Sequence, residues 1–422
     1  MNRSRVTFFL LSSLLVLPML MGTLLLAADH GRRADAPGRD GRAGKVGKEA
    51  AKEDDSFDTY YKYLGVFSEV LGLIRQSYVD EPNTDSLMAG ALEGVSDALD
   101  PFSVYVPASA VPGYLQAQSV GKQRSGVVLL KVRGRVFVVA VEKGSPAGRA
   151  GVRAGELVAK LADRPTRTMP LWEMQEILAG PPGTKVVMEV IRPDQPTPSQ
   201  VSFELKSFAP PPVSLEEVEG APLLRIPSFD AGTAGQVREA LKTSLPRLRG
   251  AARAQGKLLV DLRGVSSGDA EAAYATAKLF ASGDLGVLKR RKDEVKTYTA
   301  TEPPVWQGRI VVLVDRGTSG AGEILATVLR QRAKAELVGD WTLGHAGHQA
   351  AADLSSGGRL FYTDAFYTGP DKKPLNEALK PDLLVSERTR TLLEKDVPLE
   401  DLILKRGVRH LLEEPEAAKK AA

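Results

Sequence analysis

The stretch "RGTSGAGEIL" (316–325) decides how this chain is read. It follows "RIVVLVD" (309–315), an unbroken apolar run rich in β-branched residues and ended by an acid, which is the pattern of a buried strand. It leads into "EILATVLRQRA" (323–333), where Ile324, Leu325, Val328 and Leu329 recur at helical spacing. Small residues at such a strand-to-helix turn let the backbone bend sharply and let a substrate come close. Enzymes also place nucleophilic serines on turns of this kind, where the helix N-terminus favours negative charge. The question is whether this turn carries a nucleophile, and which residue it is.

Composition narrows the classes. A chain of 422 residues is long enough for more than one domain with a full core. The formal charge of +4 is scattered rather than striped and aromatics make up only 6%, which argues against nucleic-acid binding. There is no cysteine, which excludes disulfides and thiolate metal sites. Behind Arg3 and Arg5, residues 6–28 are uncharged and apolar, longer than a usual signal-peptide core and long enough to span a bilayer. The flanking arginines place everything downstream outside the cytoplasm. The run reads as an uncleaved inner-membrane anchor, with Pro18 and the Leu-Ala-Ala ending keeping a cleaved signal peptide open.

The rest of the chain divides by texture. Residues 29–55 are rich in Gly, Ala and charge and read as a flexible tether. Residues 56–114 are helical: Leu64, Phe67, Leu71, Ile74 and Tyr78 predict one amphipathic helix and residues 84–99 a second, stopped at "LDPFSVYV" (99–106). Short strands and glycine turns fill 115–208, and "APPPV" (209–213) is a stiff break. Strands at 221–229, 257–264, 309–315 and 335–340 alternate with helical patterns at 269–282 and 321–333, which predicts a layered α/β core over 209–390. Residues 391–422 read as a charged helical tail with a frayed end.

A glycine-bearing strand start, then "GSPAGRAGVRAGE" (144–156), then a short helix resembles a PDZ domain. The resemblance implies capture of a peptide C-terminus as an added strand. Ser125, Gly126, Val127 and Val128 would receive the carboxylate, and Leu171, Met174 and Leu178 would face the groove. The structural alternative is that these are core residues of a small β domain.

The order of parts extends the likeness. "LDPFSVYV", the PDZ pattern, "RIPSF" (225–229), "DLRGVSSG" (261–268), "DRGTSGAGEI" (315–324) and "VGDWTLGHAGHQ" (338–349) together resemble the tail-specific, or carboxyl-terminal processing, serine proteases over about 57–390. That implies a multidomain α/β and α+β protein: a ClpP/crotonase-like core with an inserted PDZ domain and an N-terminal helical segment. It also implies, as partners, the C-terminal segments of exported proteins; no cofactor and no metal is expected. The family's elbow reads Ser-Ala-Ser-Ala-Ser-Glu-Ile with the middle serine as nucleophile, and Glu323 fixes the register so that Gly320 stands there. The catalytic lysine of the Thr-Phe-Gly-Lys-Gly pattern falls on His345, and the assisting glutamine is matched by Gln349. The family's Asp-Leu-Arg-Gly-Asn-Pro-Gly-Gly element marks Gly264, Ser267 and Gly268 as the oxyanion region, Ser267 replacing a glycine.

Glycine cannot form an acyl intermediate. Histidine can serve as a base, but with no hydroxyl at 320 it has nothing to deprotonate. Loss of nucleophile and base together predicts a pseudoprotease that binds C-terminal segments. Two other readings stand beside it. One is an active endopeptidase using Ser319 or Thr318 with His345; the other is a scaffold, self-assembled or joined to an active relative. His345 and His348 lack a third nearby ligand and read as polar cleft residues rather than a metal site.

Overall fold

The computed structural model describes residues 46–120, 122–192, 195–248, 256–266, 268–385 and 401–413. The apolar run 6–28 and Ser267 lie outside the described residues, as does 391–400. The chain falls into two units, one ending at Pro82 and one beginning at Asn83. Helix α1 (Val46–Ser77) makes up the first. It starts inside the segment read as a tether, because "VGKEAAKEDD" is built from Ala, Lys and Glu, all good helix formers. The expected helix is present, with Tyr60 71% and Leu64 57% exposed and Leu71 and Ile74 half-buried.

The second unit opens with α2 (Thr84–Leu99), whose N-cap Asn83 accepts the Ser86 N–H. Strand β1 (Val104–Val106) and helix α3 (Val111–Val120) follow. After the short α4 (Lys122–Ser125) comes an antiparallel sheet. Its strands are β2 (Val127–Val132), β3 (Arg135–Val141), β4 (Leu157–Leu161), β6 (Lys185–Arg192) and β7 (Gln195–Glu204) in that order, with β5 (Arg164–Pro165) paired to β4. Helices α5 (Pro146–Arg149) and α6 (Leu171–Leu178) belong to the same domain. Alternate residues Val186, Met188 and Val190 are fully buried, the two-residue period of a strand with one face in a core.

The larger core carries a sheet ordered β17-β14-β13-β10-β9-β8. Strands β9 (Ala221–Arg225), β10 (Lys257–Asp261), β13 (Arg309–Val314), β14 (Glu336–Gly339) and β17 (Leu383–Leu384) run parallel, and β8 (Ser214–Val218) closes one edge antiparallel. Helices α7 (Thr233–Glu239), α8 (Ala270–Ala277) and α9 (Ala321–Arg332) join the hydrophobic cluster on one face. Helix α10 (Leu402–Leu412) covers the other face with Ile403, Val408 and Leu411 packed against Leu259 and Leu313. The C-terminal segment is thus part of the core over 402–412, because its apolar residues share one face of the helix. Arg263 ties it in, bonding Asp261 at 2.9 Å and the α10 cap Asp401 at 2.6 Å. An antiparallel sheet of β1, β11 (Gly283–Arg290), β12 (Asp293–Ala300), β15 (Gly347–Asp353) and β16 (Arg359–Tyr367) completes the layers.

Candidate active site

The turn between β13 and α9 is held by its own acid. Asp315 Oδ1 accepts the N–H groups of Gly264 at 2.9 Å and Gly317 at 3.0 Å. Burial pushes its carboxyl up, opposed by the Gly264 N–H. Thr318 is fully buried; its Oγ1 lies 3.0 Å from the Leu262 carbonyl and accepts the Asp315 N–H at 3.1 Å. Ser319 is buried and its N–H donates to the Val265 carbonyl at 2.8 Å. Gly317 has no room for a Cβ, which would stand 2.9 Å from Gly264 Cα and 3.2 Å from the Val139 carbonyl on β3. The antiparallel domain therefore rests directly on the turn.

Gly320 sits at the bend with φ 55° and ψ −115°, a strained conformation for any side chain. Space does not require glycine there. A Cβ would meet nothing nearer than the His345 carbonyl at 3.8 Å. The Gly320 N–H points to that carbonyl at 3.1 Å and to Glu323 Oε2 at 3.1 Å.

Glu323 joins the bend to the loop that carries His345. It is 1% exposed, and its carboxylate takes the Thr342 hydroxyl, the Gly344 N–H at 2.6 Å and the His345 N–H at 2.9 Å besides that of Gly320. Burial pushes this carboxyl up to about 7, against the pull of its four donors. A folded value above the ordinary 4.5 means that the native state holds the proton more tightly than the unfolded chain. The resulting stability is complete below pH 4.5 and is lost as pH rises to about 7. The wild type is expected to lose up to about 3 kcal/mol across that window relative to Glu323→Gln. Parallel stability curves for the two proteins, measured by urea titration at each pH, would contradict this.

His345 is half-buried in an aromatic box. Its ring stacks on Phe102 at 3.7 Å and meets Phe366 edge-on at 5.7 Å. Burial lowers its pKa, and Asp100 only partly opposes this, so the ring is neutral near pH 7. Nε2 has no hydrogen-bond partner among the described residues; it faces Gly347, where a Cβ would come within 2.7 Å. No side-chain atom of His345 lies within 4 Å of the Cβ position at residue 320. Gln349 is not aimed at the bend, since its amide donates to Thr363 Oγ1 at 2.8 Å across the β15–β16 pair. His348 is separate again, with Nδ1 2.7 Å from Asp364. Burial would raise Asp364, but bonds from His348 and Arg290 outweigh it and hold the carboxyl below its usual range.

Of the oxyanion region, Gly264 has already given its N–H to Asp315. Gly268 pairs with Phe229, at φ 142° and with no room for a Cβ. The residues expected at the peptide site fall in different surroundings. Ser125 is buried, and Gly126 is glycine because Ser145 fills the adjoining space, where a Cβ would lie 2.0 Å from the Ser145 Cβ. Met174 and Leu178 are 0% and 4% exposed in the domain's own core, so they are packing residues. Leu171 packs both on that core and on the cluster around Tyr114. Val127 and Val128 do lie on β2, which among the described residues ends its sheet, paired with β3 and beside α6. The sequence reading missed the Asp315 and Glu323 acceptors and the Phe102 stack. Glu323 was legible in one respect, as an acid at the third position of a helix.

A strand, a strained bend and a helix stand on a parallel sheet, with the antiparallel domain against the bend. Residues 222–385 match the model of peptidase family S41, and residues 137–192 match a PDZ domain. The carboxy-terminal processing protease CtpA of Bacillus subtilis (strain 168) is 27% identical over 353 residues, 80% of this chain and 71% of that protein. A "Probable CtpA-like serine protease" of Staphylococcus aureus (strain MRSA252) is 24% identical over 329 residues, 76% of this chain. The chain spans 64% of the length of that relative. A solved structure of the photosystem II D1 C-terminal processing protease has the same fold, with a TM-score of 0.62 at 21% identity over 82% of this chain and 90% of that one. Residues 222–385 thus resemble peptidase family S41 and residues 137–192 a PDZ domain, and the chain is similar to carboxy-terminal processing proteases.

Proposed function

We propose that this protein is an exported, membrane-anchored relative of the carboxyl-terminal processing proteases that holds C-terminal segments of other proteins without cutting them. The observation that carries this reading is the bend itself. Its catalytic position is Gly320, which offers no atom for attack, and the residue in the base position is a neutral His345 stacked on Phe102. The nearby Thr318 hydroxyl is engaged by Leu262 and Asp315, which weighs against its use as a substitute nucleophile. Binding retains its elements: β2 ends its sheet beside α6, the arrangement in which an extended peptide adds as a strand. Export and anchoring rest on the apolar run behind Arg3 and Arg5.

The test uses the full chain in detergent with an unfolded protein bearing an apolar C-terminus. The expected result is retention of the substrate at its intact mass, with binding lost when the terminal carboxylate is converted to the amide. Shortened substrate refutes the loss of cleavage. Equal binding of the acid and the amide, or binding of neither, refutes tail capture.

A further inference from the structure

Where the end of β2 meets the start of α6, a polar pocket opens against α2 and β1. It is lined by Lys131 of β2, Leu171 and Trp172 of α6, Glu93 and Asp97 of α2, and Tyr105 of β1. The two acids share one wall because they stand four apart on a helix. Lys131 already answers one of them. Its side chain is only 8% exposed, and Nζ donates to Glu93 Oε1 at 3.0 Å and to the Met169 carbonyl at 2.9 Å. Asp97 is exposed and has no hydrogen bond or ion pair among the described residues. The lining therefore keeps an unmatched negative charge in the same pocket as the half-buried Trp172 ring. A free carboxylate and an indole face suit a lysine or arginine side chain, the first by charge and the second by cation–π attraction.

The position of the pocket along β2 sets which residue of a captured tail reaches it. A tail whose carboxylate lies at Val127 and Val128 runs antiparallel to β2 and advances about 3.4 Å per residue. Lys131 stands three to four positions further along that strand, so the residue three or four before the last lies opposite the pocket. We infer that this pocket selects tails that carry lysine or arginine at that place. The selection presupposes tail capture at β2, as proposed above. An acidic side chain is disfavoured there, since Asp97 repels it and Lys131 is committed to Glu93 and Met169.

Fluorescence anisotropy of the full chain in detergent tests the selection. The probes are labelled peptides with one apolar C-terminus, bearing lysine, alanine or glutamate at those two positions. The lysine peptide is expected to bind at least about fivefold more tightly than the alanine peptide, and the glutamate peptide more weakly than either. In Asp97→Asn the lysine peptide is expected to fall to the affinity of the alanine peptide. In Asp97→Lys the order of the lysine and glutamate peptides is expected to invert. Equal affinities for the three peptides, or a preference for glutamate, overturn the inference and leave tail capture standing. A lysine preference that survives Asp97→Asn overturns it as well, because the selection then lies elsewhere. Binding of none of the three refutes tail capture and the inference with it.

Discussion

Glu323→Ala is expected to cost the protein about 3–5 kcal/mol of stability and to loosen the loop 342–345 against the bend at Gly320. The carboxylate is the common acceptor of three backbone N–H groups and one hydroxyl, drawn from Gly320, Gly344, His345 and Thr342. Removing it takes that acceptor from the Gly344 and His345 N–H groups and the Thr342 hydroxyl, while the Gly320 N–H keeps the His345 carbonyl, and a buried donor without a partner costs about 1–3 kcal/mol. Water entering the vacated space recovers part of this, because the space is polar and offers several donors. Glu323→Gln keeps the shape but replaces one acceptor oxygen with a donor, so it should fall between the wild type and the alanine variant. Urea denaturation at pH 7 measures both. A loss below about 1 kcal/mol for alanine would mean that the bend and the loop are held by something other than this acid.

The second large effect is a gain. Gly320→Ser/His345→Lys is expected to cleave an unfolded protein near its C-terminus at a rate at least about a thousandfold above the wild type, while neither single variant does. The hydroxyl has a place, since nothing comes within 3.8 Å of the Cβ position at 320. Its backbone cost is about 1–2 kcal/mol for a side chain at positive φ, which the folded core tolerates. The 345 backbone is adjacent, its carbonyl accepting the Gly320 N–H at 3.1 Å. Lysine there would lie among Phe102 and Phe366, surroundings that lower an ammonium pKa and make a better base. A folded double variant that stays silent would show that the oxyanion donors are missing as well.

How far the sequence carried this account depends on the element. The strand at 309–315 and the helix at 321–333 were legible because the apolar run and the helical period are local patterns. The PDZ domain and the family order were legible from motifs. Positions 320 and 345 rest on the family resemblance, with Glu323 and the Thr-Leu-Gly pattern setting the register. What each side chain touches was not legible. Met174 and Leu178 share helical spacing with groove residues, and only packing shows that they face inward. Gly126 needs glycine beside Ser145, a contact within the domain that no local pattern encodes. The Phe102–His345 stack joins residues far apart in the chain, and no period or propensity encodes such a meeting. The same holds for α10, whose burial depends on the sheet face left open beneath it.

The most direct measurement is the intact mass of the native full chain after exposure to a hydroxyl-directed fluorophosphonate. No added mass is expected, because Gly320 has no hydroxyl and Thr318 is committed to Leu262 and Asp315. An adduct mapped to Ser319 or Thr318, and abolished by His345→Ala, would contradict it and establish a rearranged active site.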